Sequence, residues 1–158
     1  MDEGKGFSLN AIELQKYQLV RYPFLMIDYV TEVIPGKSAK GYKNLSNNDW
    51  FFPVHFQGNP IMPGTMQLEA ISQMIAIAIT TLPDLEGKIT YFISSNVKFF
   101  KEVVPGDRFD IETDIISWRR GICKGKGRGY VNGQIVCEAE LTMAVPDEIK
   151  KYSPLDKK

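Results

Sequence analysis

From Ala70 to Ile79 nearly every residue is apolar, whichever way a helix turns: Ala70, Ile71, Met74, Ile75, Ala76, Ile77, Ala78 and Ile79. A helix apolar on all faces is buried, not laid on a surface. Pro63-Gly64 opens it, since a proline in the first turn forfeits no helical hydrogen bond. Pro83 ends it, after about Leu82. The longest uninterrupted apolar run is six residues, Met74 to Ile79, whereas a membrane span needs about 20. What wraps this helix must therefore be protein.

Strands supply the wrapping. Met26 to Ile34 and Lys37 to Leu45 read as a hairpin turned at Pro35-Gly36. Trp50 to Pro63, aromatic and proline-rich, reads as an ordered loop. After the helix come Lys88 to Lys101, Asp107 to Trp118, Ile122 to Val131 and Gln134 to Val145. In the last, Ile135, Cys137, Ala139, Leu141, Met143 and Val145 share one face. Phe109, Ile111, Thr113 and Ile115 do the same in the second. Asn132-Gly133 is the strongest hairpin signal. A lone helix among strand runs predicts an α+β fold with an antiparallel sheet. One sheet cannot enclose the helix fully, so a second copy is expected to cover the rest.

The 158 residues suit a single domain, 1–158, with its core at about 18–145. Asn10 to Tyr17 reads as a short helix, and residues 1–9 and those after Val145 as frayed ends. Nineteen Lys and Arg balance nineteen Asp and Glu, which argues against nucleic acid and anionic membranes as non-specific partners. Two cysteines, Cys123 and Cys137, with no CxxC spacing, fit packed and reduced thiols. The polar start MDEGKGFSLN argues against a signal peptide. A soluble, cytoplasmic protein is the expectation.

Three chemical features meet in the loop and helix start. His55 is the single histidine, and an imidazole can take a proton at physiological pH; the alternative is a histidine satisfied inside an aromatic loop. Glu69 stands in an otherwise apolar helix, where its carboxyl resists ionisation and becomes a proton donor. Alternatively it faces out at the polar end, with Gln73 one turn on. Gly64 opens the helix where free N–H groups point outward, the arrangement that holds a carbonyl oxygen gaining charge. By itself it is equally an ordinary Pro-Gly helix start. Together they supply a base, an acid and an oxyanion donor, a set suited to removing a proton beside a carbonyl while a leaving group departs.

The run HFQGNPIMPGTMQLEAISQ, from His55 to Gln73, resembles the active-site block of FabZ-type 3-hydroxyacyl-[acyl-carrier-protein] dehydratases, roughly HFPGxPxMPGxxxxEAxxQ. Arg21 to Asp28 (RYPFLMID), Pro35-Gly36-Lys37, Lys43-Asn44, Tyr91-Phe92, Lys98-Phe99, Val104 to Asp107 and Cys137 to Leu141 follow the family's order. The resemblance implies a hot-dog fold, a long central helix wrapped by an antiparallel sheet. It also implies a homodimer, usually a trimer of dimers, whose sites take histidine and glutamate from opposite subunits. Carried over, His55 removes the C2 proton of a 3-hydroxyacyl thioester and Glu69 of the partner chain protonates the departing hydroxyl. Gly64 N–H polarises the carbonyl, and the Ile61 carbonyl fixes the His55 tautomer. Pro63, Gln73, Tyr91 and Phe92 fall at substrate-binding positions, the last two along the acyl tunnel. No metal or organic cofactor is implied, because phosphopantetheine arrives on the acyl carrier protein.

Val20, Gln57 and Ser94 to Val97 depart from the family pattern, which leaves a related polyketide-type pathway open beside fatty-acid synthesis. A hot-dog acyl thioesterase and a non-catalytic acyl-binding subunit are the alternatives. The former is disfavoured by the intact block, the latter by the presence of both His55 and Glu69. Arg119, Arg120, Lys124, Lys126 and Arg128 form the densest basic cluster, either a docking patch for an acidic carrier or a solvated strand edge.

Overall fold

The computed structural model describes residues 4–153. In chain order these form β1 (Phe7–Leu9), a 3-10 helix (Glu13–Lys16), β2 (Tyr29–Ile34), β3 (Ser38–Asn44), α1 (Gly64–Thr80), β4 (Tyr91–Phe99), β5 (Arg108–Arg119), β6 (Ile122–Val131), β7 (Gln134–Ala144) and α2 (Pro146–Lys150). One seven-stranded sheet, ordered β1-β2-β3-β5-β6-β7-β4, carries all the strands, and every pairing is antiparallel. The sheet curls around α1, whose residues from Ala70 to Thr80 are all buried within the single chain, so covering this stretch does not call for the second copy expected from its apolar faces. This is the hot-dog architecture, and it meets the α+β expectation.

The expected elements form with trimmed ends. Lys37 N–H donates to the Ile34 carbonyl across Pro35-Gly36 (2.9 Å), closing the first hairpin. Gly36 takes the positive φ (72°) that this turn's third residue needs. At the other hairpin both Asn132 (φ 50°) and Gly133 (φ 74°) are left-handed, as a two-residue turn matched to strand twist requires. The N-terminal helix shrinks to one 3-10 turn, which plugs Leu14 into the core. The ends are more ordered than expected within the described residues. Phe7–Leu9 pairs with β2 and buries Leu9, and Pro146–Lys150 is a short helix. Residues 1–3 and 154–158, included in the expected frayed ends, lie outside the described residues.

The helix seats closely because β6 turns glycines toward it. Gly125, Gly127 and Gly129 are buried on the inner face, alternating with exposed Lys124, Lys126 and Arg128. A Cβ on Gly127 would come within 2.5 Å of Ile71 Cγ2, and one on Gly125 within 2.8 Å of Ile75 Cδ1.

The outer face carries a ladder of alternating charge. Lys40 pairs with Glu112, Glu112 with Arg128, Arg128 with Glu138 and Glu138 with Lys98. One pairing along, Lys126 sits between Asp114 and Glu140. Each basic residue of this pair thus faces acids on both sides, so Lys126 and Arg128 add no net positive field. Among the described residues, no helix is long and apolar enough to cross a membrane.

β4 closes one side of the sheet. Eight of its nine residues are exposed, among them Tyr91, Phe92, Ile93 and Phe99. A long uncovered edge with apolar side chains is one to which a further strand can add.

Candidate active site

His55 sits in the loop between β3 and α1, and a set of backbone bonds holds that loop. Phe56 and Asn59 exchange hydrogen bonds (Phe56 N–H to Asn59 O 2.8 Å, Asn59 N–H to Phe56 O 2.9 Å). Ile61 N–H donates to the His55 carbonyl at 2.8 Å, and Met62 N–H to Val103 at 2.7 Å. The Ile61 carbonyl lies 3.0 Å from His55 Nδ1. A carbonyl only accepts, so Nδ1 is the donor and Nε2 is the nitrogen left for another partner. The ring also stacks on Phe56, 4.0 Å between centroids. The imidazole is half-buried and oriented.

Beside it is the start of α1. Pro63 is the residue before the helix (φ −55°, ψ 136°), and its carbonyl accepts from Met66 and Gln67 N–H. Gly64 is the first helical residue, so its N–H has no partner within the helix. A side chain there would strike the Phe99 ring, 2.8 Å from the would-be Cβ. His55, Ile61, Gly64 and Phe99 border one open cavity of about 530 Å³. His55 and Gly64 therefore share a space.

Glu69 does not border that cavity. It lies five residues along α1 from Gly64, a rotation of about 140° at 100° per residue. Its Oε1 accepts from Gln73 Nε2 at 2.9 Å. Gln73, 2% exposed, is itself clamped: Oε1 accepts from Met26 N–H (2.8 Å) and Nε2 also donates to the Phe24 carbonyl (2.9 Å). Burial among apolar neighbours pushes the Glu69 carboxyl above its usual range, and the Gln73 hydrogen bond opposes this in part.

Of the sequence-predicted residues, the structure gathers His55, Ile61 and Gly64, with Pro63 adjoining. It pairs Glu69 with Gln73 on another side of the helix. Tyr91 and Phe92 stand at the opposite end of β4 from Phe99 and outside the His55 cavity. Sequence reasoning does not single out Phe99 or Gln67, which also line that cavity. For Gln67 the signal is a polar residue one turn into an apolar helix. Among the described residues, no group of three or more His, Cys, Asp or Glu is placed to hold a metal.

The profile of the FabA-like domain matches residues 19–140. A 3-hydroxyacyl-[acyl-carrier-protein] dehydratase FabZ of Bacillus subtilis is 45% identical over 126 residues, 79% of this chain and 89% of the relative. The FabZ of Moorella thermoacetica is 43% identical over 131 residues, 82% and 92% of the two chains. Among solved structures, the dehydratase heterocomplex ApeI:P from Xenorhabdus doucetiae superposes with a TM-score of 0.74 at 14% identity, over 91% of this chain and 97% of that one. A hypothetical thioesterase from Streptococcus pneumoniae gives 0.59 at 15% identity, over 73% and 83%. These structural likenesses concern the fold alone. The sequence matches, spanning the His55–Gln73 block and most of the chain around it, place this chain in the FabA-like family, among the FabZ-type dehydratases.

Proposed function

We propose that the two halves of the site described above meet between two copies of the chain and dehydrate a 3-hydroxyacyl thioester. The chain is a dehydratase of the fatty-acid biosynthetic type, as its curated relatives are at 43–45% identity. The observation that carries the mechanism is the shared cavity of His55 and Gly64, with the Ile61 carbonyl fixing the ring.

His55 Nε2 takes the C2 proton. Gly64 N–H stabilises the charge that gathers on the thioester oxygen, where a fixed dipole acts without reorganisation. The C3–O bond breaks as Glu69 delivers its proton to the hydroxyl, and water and a trans-2-enoyl thioester leave. A general acid must hold its proton until that moment, which burial of Glu69 favours. Because Glu69 lies outside the cavity of its own chain's His55, we assign the acid to a second copy.

The exposed β4 edge supports that assembly. Antiparallel pairing of two β4 edges brings the Tyr91–Phe92 end of one copy toward the Phe99 end of the other, where both aromatics would line the acyl path. Pro63 shapes the entrance to the helix, and Gln73 holds the acid. We read the substrate's carrier as acyl carrier protein, whose phosphopantetheine arrives with the acyl group, so the chain brings no cofactor of its own. The assembly we propose is a homodimer, built further into a trimer of dimers. We place the reaction in the cytoplasm, where the free buried thiols of Cys123 and Cys137 stay reduced.

The test is mass spectrometry of a 3-hydroxyacyl carrier protein incubated with the wild type and with Glu69→Gln. Loss of water with the first and none with the second is expected. Water loss at equal rates would remove Glu69 from the mechanism.

A further inference from the structure

Gln67 is 3% exposed. Its Oε1 is the one buried side-chain oxygen or nitrogen among the described residues without a hydrogen-bond partner. A buried amide oxygen left unpaired is costly, and native proteins keep few such atoms. This one belongs to the first turn of α1, and its residue borders the cavity that holds His55 and Gly64. Helical side chains tilt toward the helix N-terminus. The amide is thereby carried back toward the level of Gly64, where the thioester carbonyl is read to sit.

The walls around it are mostly carbon, from Ile61, Met62, Phe99 and Phe100, with Thr65, Lys101 and Glu102 as polar neighbours. A buried acceptor without a partner, in a wall that is mostly apolar, suits a ligand that is mostly hydrocarbon and brings a donor to it. Methylenes do not donate, and neither does a thioester carbonyl. A hydroxyl on the acyl chain does.

We infer that Gln67 Oε1 accepts a hydrogen bond from a hydroxyl on the acyl chain, so that Gln67 selects hydroxylated over plain acyl ligands. The inference rests on the dehydratase reading and deepens it. On the acyl chain the donor has two possible sources, the 3-hydroxyl that leaves or a further hydroxyl; the amide N–H groups of the pantetheine arm are common to all the ligands compared below. A site that hydrogen-bonds a substrate hydroxyl rejects the analogue lacking it, because its own polar group is then stranded.

The experiment is titration calorimetry with three pantetheine thioethers of equal chain length: plain, 3-hydroxy and 5-hydroxy. A thioether has no carbonyl to acidify C2, so nothing eliminates, and the shared arm cancels between ligands. The full-length wild type should bind one hydroxylated ligand at least about fivefold tighter than the plain one. Q67M and Q67L, each checked for folding, should erase that preference and leave plain-chain affinity within about twofold. Two variants are used so that misfolding of one leaves the other to decide. A preference for the 3-hydroxy ligand assigns the leaving hydroxyl; one for the 5-hydroxy ligand assigns a polyketide-type chain. Equal binding of all three by the wild type, as when Gln67 merely holds a water, overturns the inference. So does a preference that survives in the variants. Dehydration of a 3-hydroxyacyl carrier is measured in parallel; its failure with the binding preference intact strikes the dehydratase reading and not Gln67.

Discussion

Gln73 Nε2 and Glu69 Oε1 lie 2.9 Å apart, one helical turn from each other, and the amide's orientation is dictated from outside the helix. Met26 N–H must have an acceptor and the Phe24 carbonyl a donor, so Oε1 and Nε2 of Gln73 cannot exchange places. Glu69 Oε1 therefore always meets a donor. A proton on this carboxyl is left to Oε2.

Replacing Gln73 with Met should weaken both fold and reaction. Met26 is 1% exposed, so its N–H would be stranded, at a cost of about 1–3 kcal/mol. Urea unfolding checks this. With the carboxyl free to turn, kcat should fall by about tenfold or more, since small misplacements of an acid cost on that order, while KM stays near its wild-type value. An unchanged kcat in a stable variant would show that Gln73 serves the fold alone.

Burial of Glu69 sets the sign of a pH effect. Its folded carboxyl titrates above the ordinary carboxylate range, because burial disfavours the charged form. The folded state thus binds the proton more tightly than the unfolded chain does. The stabilising contribution is complete below the ordinary pKa and is lost as pH rises through the raised one. Glu69→Gln stays neutral throughout and can still accept from Gln73. The gain in Tm of this variant over the wild type should therefore be larger at pH 8 than at pH 4, as calorimetry at the two pH values would show. The dehydration rate should fall on the alkaline side as the acid loses its proton.

The central helix, the hairpin turns and the loop that carries His55 were legible in the sequence because each is a local signal. An all-round apolar run, a Pro-Gly or Asn-Gly pair and a solitary histidine need no partner to be read. What escaped reading depends on contacts distant in sequence. Gln73 is clamped by backbone atoms 47 and 49 residues away. Arg128 is basic in sequence but stands between Glu112 and Glu138 in register. Phe7–Leu9 is too short and mixed to signal a strand, and it becomes one only because β2 offers an edge. Tyr91 and Phe92 acquire a place in the proposed site only when a second β4 is supplied.

That dependence on a second copy has its own test. His55→Ala and Glu69→Gln should each be inactive as pure proteins. Co-expressed, they form mixed dimers in which one site has both lesions and the other has neither. Activity should return, up to about half the wild-type value per mixed dimer in a two-site count. No recovery from mixed dimers confirmed by native mass spectrometry would put both residues in one chain's site.

The glycine stripe of β6 links the sheet to the helix that carries Glu69. Gly127 faces Ile71, which is fully buried and lies two residues beyond Glu69. A Cβ at 127 would also lie 3.0 Å from Thr113 Cγ2 and 3.3 Å from the Glu112 carbonyl, so it has no direction in which to yield. Gly127→Ala must lift the helix or bend the strand, a strain of about 1–3 kcal/mol. Lys126→Ala, on the exposed face next door, should stay within about 0.5 kcal/mol of wild type. Ile71→Ala alone opens a cavity and costs about 2–5 kcal/mol. Combined with Gly127→Ala, it gives the new methyl a place to go. The double variant should be more stable than the sum of the single losses predicts, by about 0.5–3 kcal/mol in a double-mutant cycle. Strict additivity in urea unfolding would mean that the strand yields on its own, and that close seating of the helix does not depend on Gly127.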